Sequence, residues 1–346
     1  MIQEKGISMN IKSLSLLLCV FLTAFTLSGC GKDVTSMSQT GFYFDTAITI
    51  TLYGEDSQAS EQLFDDCFAL CETYEAMFSR TREGSDIWKI NHAGGAPVEV
   101  SPETAQLLQK ALHYCEETDG AVDITIAPLS ALWDFSADTP ATGHTLPGRE
   151  QIKALLPHVD YHNVQIEGTV VTLTDPQAAL DLGCIAKGYI ADRLKAFLKE
   201  QGVQSAILNL GGNVVTLGNK PDGSPYRLGI QKPFDMRNTP IAALAVTDAS
   251  FVSSGVYERC FEVDGVRYHH LLSTSTGMPE ENGLLSVSIL SDSSADGDIL
   301  STACFLLGKD AGMAYVESLP GVEAVFITED YALYPTSGLS GLLQKP

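Results

Sequence analysis

Basic residues are scarce in this 346-residue chain: 21 Lys and Arg stand against 43 Asp and Glu, a formal net charge of −22 at pH 7. A field of that sign repels polyanions, which argues against DNA, RNA and an anionic membrane face as partners. Any phosphate-bearing ligand must therefore be met by local cations, metal ions or helix N-termini. Metal-type cysteine spacing is also missing, since the eight Cys include no CxxC pair and no Cys/His pattern of zinc type. Cys19 and Cys30 fall in the leader, whereas Cys67, Cys71, Cys115 and Cys304 fall on apolar helix faces, which predicts buried free thiols rather than disulfides. No low-complexity linker and no repeat of solenoid period interrupts residues 42–340.

The apolar run "SLSLLLCVFLTAFTL" after Lys12 is short for a membrane span and ends abruptly in "LSGC". Small residues Ser28 and Gly29 before Cys30 predict a lipoprotein signal peptide over 1–29 and a lipid on the Cys30 thiol. The expectation is an exported protein anchored to the outer face of the cytoplasmic membrane, or facing a periplasm. An ordinary cleaved leader with an incidental cysteine is the alternative. Residues 30–41 then read as a polar tether.

Downstream, helices and strands interleave. "FYFDTAITITLYG" alternates with strand period, and the helix after it places Leu63, Phe64, Cys67, Phe68, Cys71, Tyr74 and Phe78 on one stripe. "SPETAQLLQKALHYCEETDG" is a helix with Ser101 as N-cap, Pro102 in the first turn and Gly120 beyond its end. "VQIEGTVVTL" and "CFEVDGVRYHH" read as hairpins around Glu167-Gly168 and Asp264-Gly265. Further strands are expected in "SAILNL", "YRLGIQ", "IAALAV" and "LLSVSIL", and helices at about 298–307 and 310–318. With so many hairpins the fold class is α+β, a mixed, largely antiparallel sheet with packed helices in a single catalytic domain over 42–340.

Four stretches could carry chemistry. In "LDLGCIAKGYIADRL" a buried strand leads through Gly183 to a helix start bearing Lys187, with Gly188 letting backbone approach a ligand; this suits a phosphate or pyrophosphate. A surface lysine at a routine turn is the plainer reading. In "DGDILSTACFLLG", Asp298 and Thr302 stand one helical turn apart, oxygen donors of the kind Mg²⁺ accepts, unless Asp298 is only a cap and Thr302 only packed. In "YHHLLSTSTGMP" strand alternation sends His269 and His270 to opposite faces, so at most one serves a given site as general base. "SFVSSGVY" offers Ser253, Ser254 and Gly255 as a tight loop of donors, or an ordinary turn.

Taken in this order, with "FDTAITITLYG", "FSRTREGSDIWKIN", "VDITIAPLSALWDF", "LNLGGNVVTLG" and "SSGVYER", these blocks resemble the ApbE family of FAD:protein FMN transferases, from about Tyr43 to Thr336. The resemblance implies an α+β enzyme that uses Mg²⁺ to cleave FAD at its pyrophosphate, esterify FMN to a Thr or Ser hydroxyl of an acceptor protein and release AMP. It implies Asp298 and Thr302 as metal ligands with the Cys184 backbone carbonyl, and FAD contacts from Phe44, Ala121, Val122, Asp123, Asp181, Lys187, Ser254, Gly255 and His270. His270 would be the base toward the acceptor hydroxyl, with Asp298 and Lys187 as its catalytic companions. Acceptors in the family are flavin-carrying redox subunits at the membrane. The chain departs from the family pattern at Ser273-Thr274, where Asp-Pro is usual, at Ser275, where a basic residue is common, at Thr81, often an aromatic, and at Cys184, usually smaller. FAD hydrolysis to FMN and AMP is a close variant; a two-lobed solute-binding lipoprotein and a flavin-binding module without turnover are alternatives of another class.

Overall fold

The structure, a computed structural model, describes residues 36–54, 56–135 and 145–346. The leader, Cys30 and the first part of the expected tether lie outside the described residues. The rest of that tether is a correction: Ser36–Tyr43 forms strand β1 and pairs antiparallel with β2 (Thr46–Tyr53). Hydroxyl pairs Ser38–Thr51 and Thr40–Thr49, each 2.9 Å, cross the ladder, so a polar segment gains strand structure from its neighbour. The turn between these strands is Phe44-Asp45, both left-handed (φ 53° and 54°), a hairpin geometry without the usual Gly or Asn signal.

Helix α1 (Ser57–Phe78) buries Phe64, Cys67, Cys71, Tyr74 and Phe78, the stripe its spacing dictates. After α2 (Asp86–His92) and the two-residue strand β3 (Val98–Glu99) comes α3 (Pro102–Glu117), capped by Ser101 as expected. Short helices α4 (Ala127–Trp133) and α5 (Arg149–Leu155) precede the hairpin of β4 (Val164–Glu167) and β5 (Val170–Leu173). Helix α6 (Ala186–Glu200) leads into β6 (Ala206–Leu210) and β7 (Asn213–Leu217), then the hairpin of β8 (Tyr226–Gln231) and β9 (Pro240–Val246). Next are β10 (Ser250–Gly255), β11 (Cys260–Val263), β12 (Val266–His269) and β13 (Leu284–Ser291). Helices α7 (Ser294–Leu307) and α8 (Lys309–Glu317) and strands β14 (Glu323–Thr328) and β15 (Leu333–Pro335) complete the chain.

The main sheet runs β1-β2-β6-β7-β10-β13-β14-β15 with every neighbouring pair antiparallel. One continuous sheet replaces the two lobes and hinge of a solute-binding protein. One apolar cluster joins β2, β6 and β7 to α1, α3 and α6; a second joins the β8–β9 hairpin, β13 and β14 to α8. Helix α7 serves both, giving Ala295, Ile299 and Ala303 to the first and Leu300, Cys304 and Phe305 to the second. A helix wedged in this way is buried on most of its sides, so a carboxylate in it must be answered by a designated partner. A third cluster of Leu129, Trp133, Ile152, Phe261 and Leu272, with Trp133 Nε1 donating to Gly277 O at 2.8 Å, pins the 270s loop to α4 and α5. All six cysteines of the described residues are free thiols, and Cys67, Cys71, Cys115 and Cys304 are buried as expected. Among the described residues no helix is long and apolar enough to cross a membrane.

Candidate active site

The α6–α7 crossing brings three of the expected groups together. Asp298, in the second turn of α7 and 4% exposed, accepts a hydrogen bond from Gly188 N through Oδ2 at 2.9 Å. Its Oδ1 lies 3.6 Å from Lys187 Nζ, which also donates to Gly183 O at 2.9 Å. Thr302 sits one turn along the same helix, its Oγ1 3.2 Å from Ser254 Oγ. A lysine in the first turn of α6, whose N-terminus carries no side-chain cap, thus faces a buried carboxylate that stands one helical turn from a hydroxyl. Gly188 has a different job from the one expected: a Cβ there would meet Ser294 O at 2.1 Å, so its missing side chain admits the α7 backbone rather than a ligand. The stretch before it is also corrected: Leu180 and Leu182 are buried, but the local pairing is a single bridge, Ile126 to Ala179, not a strand.

The donor set suits a hard cation. Asp298 and Thr302 supply oxygens, while burial first, with nearby Cys115, Asp298 and Asp181, holds the Cys184 thiol well above its usual range, leaving its carbonyl as the usable donor. No trio of His, Cys, Asp or Glu among the described residues could hold a metal by itself. Backbone, water and phosphate oxygens would have to complete such a shell, which is how Mg²⁺ is usually bound.

A second wall is built around 121–125. Asp181 N donates to Ile124 O at 2.8 Å, and Thr274 Oγ1 donates to Gly120 O at 2.8 Å, so this stretch bridges the Asp181 turn and the 270s loop. Thr274, one of the departures from the family pattern, is therefore a tie between loops. Val122 and Asp123 are buried, and both Asp123 oxygens are engaged: Oδ1 accepts from Thr125 N and Oγ1 at 2.7 Å, and Oδ2 accepts from Tyr161 N at 2.8 Å. Asp123 braces the loop, leaving backbone groups and Ala121 to face a ligand. Asp181 accepts from Gly183 N at 2.9 Å and pairs with Arg80 at 3.1 Å. Arg80 also lines a hollow of about 320 Å³ with Asn91, Ala127, Pro128 and Gln177. Phe44, half-buried, is fixed by its N–H donating to Glu75 Oε1 at 2.6 Å; no contact joins it directly to Lys187 or Asp298.

The histidines part as strand alternation predicts. His269 is buried edge-on against Phe305, its Nδ1 without a partner, and burial pulls it from 6.5 to about 4. His270 is half-buried; desolvation first, then the charges of Arg259, His269 and Lys187, pulls it to about 3. Its Nδ1 lies 3.3 Å from Arg259 O, so the neutral ring donates there and keeps its lone pair on Nε2. Between the unfolded value of 6.5 and these folded values the unfolded chain holds more protons, so stability is full above about pH 6.5 and falls on acidification. Tm followed from neutral pH down to about 4 should decline, and His269→Gln should flatten that slope; an unchanged slope would refute the assignment.

Ser253, Ser254 and Gly255 are not a loop but part of β10, inside the main sheet, because the half-buried Ser253 and Ser254 hydroxyls pair with buried ones: Ser253 with Ser288 and Ser254 with Ser301, each 2.7 Å. Helix α7 starts at Ser294 with Ser293 as its cap, earlier than its apolar pattern indicates, so Asp298 is not a cap. Asp192, overlooked in the sequence, reinforces that start by accepting from Ser294 N at 2.7 Å and Ala295 N at 2.9 Å. Arg80 was likewise missed; its neighbourhood to "SRTREGSD" was the available signal.

A buried acid, a half-buried threonine hydroxyl, a lysine at a helix start and a neutral histidine are all borne by one α+β domain, a set of groups suited to chemistry at a phosphate. The chain belongs to the ApbE family, whose model matches residues 44–326. A FAD:protein FMN transferase of Klebsiella pneumoniae (strain 342) is 39% identical over 286 residues, covering 82% of this chain and 86% of the relative. One of Treponema pallidum (strain Nichols) is 32% identical over 343 residues, covering 94% and 93%. The crystal structure of the ApbE protein from Thermotoga maritima superposes with TM-score 0.80 at 30% identity, covering 89% of this chain and 99% of that one. The flavin transferase ApbE from Vibrio cholerae gives 0.79 at 27% identity, with the same coverage.

Proposed function

We propose that the chain is an FAD:protein FMN transferase in which the α6–α7 junction grips the FAD pyrophosphate. The observation that carries this reading is the meeting of Lys187 with buried Asp298, 3.6 Å apart, one turn from Thr302. The acceptor hydroxyl oxygen attacks the phosphorus of the FMN half, the bond from that phosphorus to the bridging oxygen breaks, and AMP leaves with the bridging oxygen. His270, neutral and held through Nδ1, takes the hydroxyl proton on Nε2. Lys187 offsets charge that gathers on the bridge as it breaks. Asp298, Thr302 and the Cys184 carbonyl would hold Mg²⁺, which supplies Lewis-acid neutralisation of the phosphate oxygens when bound. Arg80 and Asp181, with the 121–123 backbone, shape the remainder of the FAD site.

Export and lipid attachment at Cys30 belong to the same proposal, supported by the order of leader, small residues and cysteine, and would place the enzyme beside membrane redox subunits. Incubation with FAD, Mg²⁺ and a Thr-containing acceptor should release AMP and leave flavin fluorescence on the acceptor band after denaturing electrophoresis. AMP release without labelled acceptor would favour the hydrolase variant, which Ser273-Thr274 in place of Asp-Pro makes worth distinguishing; FAD retention without AMP would mean a flavin carrier.

A further inference from the structure

We propose that Ser301 is a positioning residue that fixes which way the Thr302 hydroxyl points, so that Thr302 offers the site lone pairs and no proton; this rests on the reading of Asp298 and Thr302 as cation ligands. The inference follows from counting hydrogens along a row of oxygens on α7 and β10. Ser301, fully buried, places its Oγ 2.8 Å from the main-chain carbonyl oxygen of Asp298. A carbonyl oxygen only accepts, so the single Ser301 hydrogen is spent there. Ser254 Oγ on β10 stands 2.7 Å from Ser301 Oγ, and with the Ser301 hydrogen committed Ser254 must be the donor of that bond. Thr302 Oγ1 lies 3.2 Å from Ser254 Oγ. The Ser254 hydrogen is now committed in its turn, so Thr302 donates to Ser254. One backbone carbonyl thereby sets the direction of the whole row, from Thr302 to Ser254 to Ser301 to Asp298 O.

The direction has a chemical consequence. A hydroxyl whose hydrogen is already used cannot donate to a phosphate oxygen, whereas the lone pairs it keeps suit a hard cation or another donor. One turn back on the same helix face is the Asp298 carboxylate, which also carries no hydrogen while it is ionised. Run the other way, the row would leave Ser254 donating to Thr302 and the Thr302 hydrogen turned into the site, where its partial positive charge opposes a cation. Asp298 therefore acts twice: its Oδ2 takes the Gly188 N–H at 2.9 Å, and its main-chain oxygen anchors the row. Burial of Ser301 protects the direction, since a bond left unmade there costs more than one exposed to water. The adjacent hydroxyl pair, Ser253 with Ser288 at 2.7 Å, projects from the opposite face of β10 and provides an internal comparison.

The test titrates the full chain with Mn²⁺ alone, read by loss of the free-ion paramagnetic resonance signal; the binding that disappears in Asp298→Ala defines the share of this site. Ser301→Ala frees the Ser254 hydrogen to turn to Thr302 and the Thr302 hydrogen to turn into the site. It should weaken Mn²⁺ binding about tenfold and raise the Mg²⁺ concentration for half-maximal AMP release by a similar factor, with kcat at saturating Mg²⁺ within about threefold of the wild type. Ser254→Ala, at a half-buried position, should weaken Mn²⁺ likewise and decides the matter if Ser301→Ala does not fold. Ser288→Ala deletes an equally buried hydroxyl from the comparison pair and should leave the Mn²⁺ affinity unchanged. A lowered Tm with unchanged Mn²⁺ affinity in Ser301→Ala, equal weakening in Ser288→Ala, or no Mn²⁺ at this site in the wild type would overturn the proposal. A wild type that binds Mn²⁺ in this Ser301-dependent way yet releases no AMP would uphold the hydroxyl direction and overturn the transferase reading.

Discussion

Asp298→Ala is expected to reduce AMP release from FAD by at least about a hundredfold, the scale for removing a group that organises charge at a reacting phosphate. Three things fail together. The Lys187 ammonium loses the carboxylate 3.6 Å away that helps hold it, the proposed Mg²⁺ site would lose its one acidic protein ligand, and Gly188 N loses its acceptor. The last of these is structural: a buried amide left without a partner costs about 1–3 kcal/mol. Asp298→Asn separates the contributions. Its carbonyl oxygen can still accept from Gly188 N, so Tm should stay near the wild-type value, while the lost charge should still abolish most AMP release. Chromatographic AMP assays and thermal melts on both variants decide it. Wild-type turnover in Asp298→Asn would end the metal assignment.

That Asp298 and Thr302 stand one turn apart on one helix was legible in the sequence because the spacing is local: residues four apart on a helix share a face whatever the rest of the fold does. The same holds for Ser101 with Pro102, for the hairpins at Gly168 and Asp264-Gly265, and for Lys187 at a helix start. Misreadings arose where polar residues lie inside the structure. Strand β10 looks like a loop because Ser253 and Ser254 satisfy their hydroxyls with partners on β13 and α7, which no local pattern reveals. The first turn of α7 is hidden because "SSADGD" lacks apolar period, and its start is set by Asp192 on α6. Turn Phe44-Asp45 is hidden because neither residue advertises positive φ; Glu75, reaching from α1, holds it. Arg80 and Asn91 act on Asp181 and Leu180 across long separations, so their roles follow from tertiary packing.

Gly188→Ala should be among the most damaging single-carbon additions in the molecule. The new methyl would lie 2.1 Å from Ser294 O, 2.6 Å from Ser294 C and 2.8 Å from Ala295 Cα, all backbone atoms with no rotamer to yield. Helix α6 and helix α7 must separate, and α7 is packed into two apolar clusters that resist movement. Relief therefore costs roughly 3 kcal/mol or more, at the upper end for an overpacked site. Separation also stretches the 2.9 Å bond from Gly188 N to Asp298 and the Asp192 bonds to Ser294 and Ala295, so activity should fall with stability. Gly183→Ala is the control in the same turn: its Cβ would come 3.1 Å from the Asp181 Oδ1 atom, a side-chain end able to shift, and its φ is not in the left-handed region. A denaturant melt should show Gly183→Ala within about 1 kcal/mol of the wild type and Gly188→Ala far below it. Equal stability of the two variants would mean that the helices do not cross as closely as Gly188 and Ser294 require.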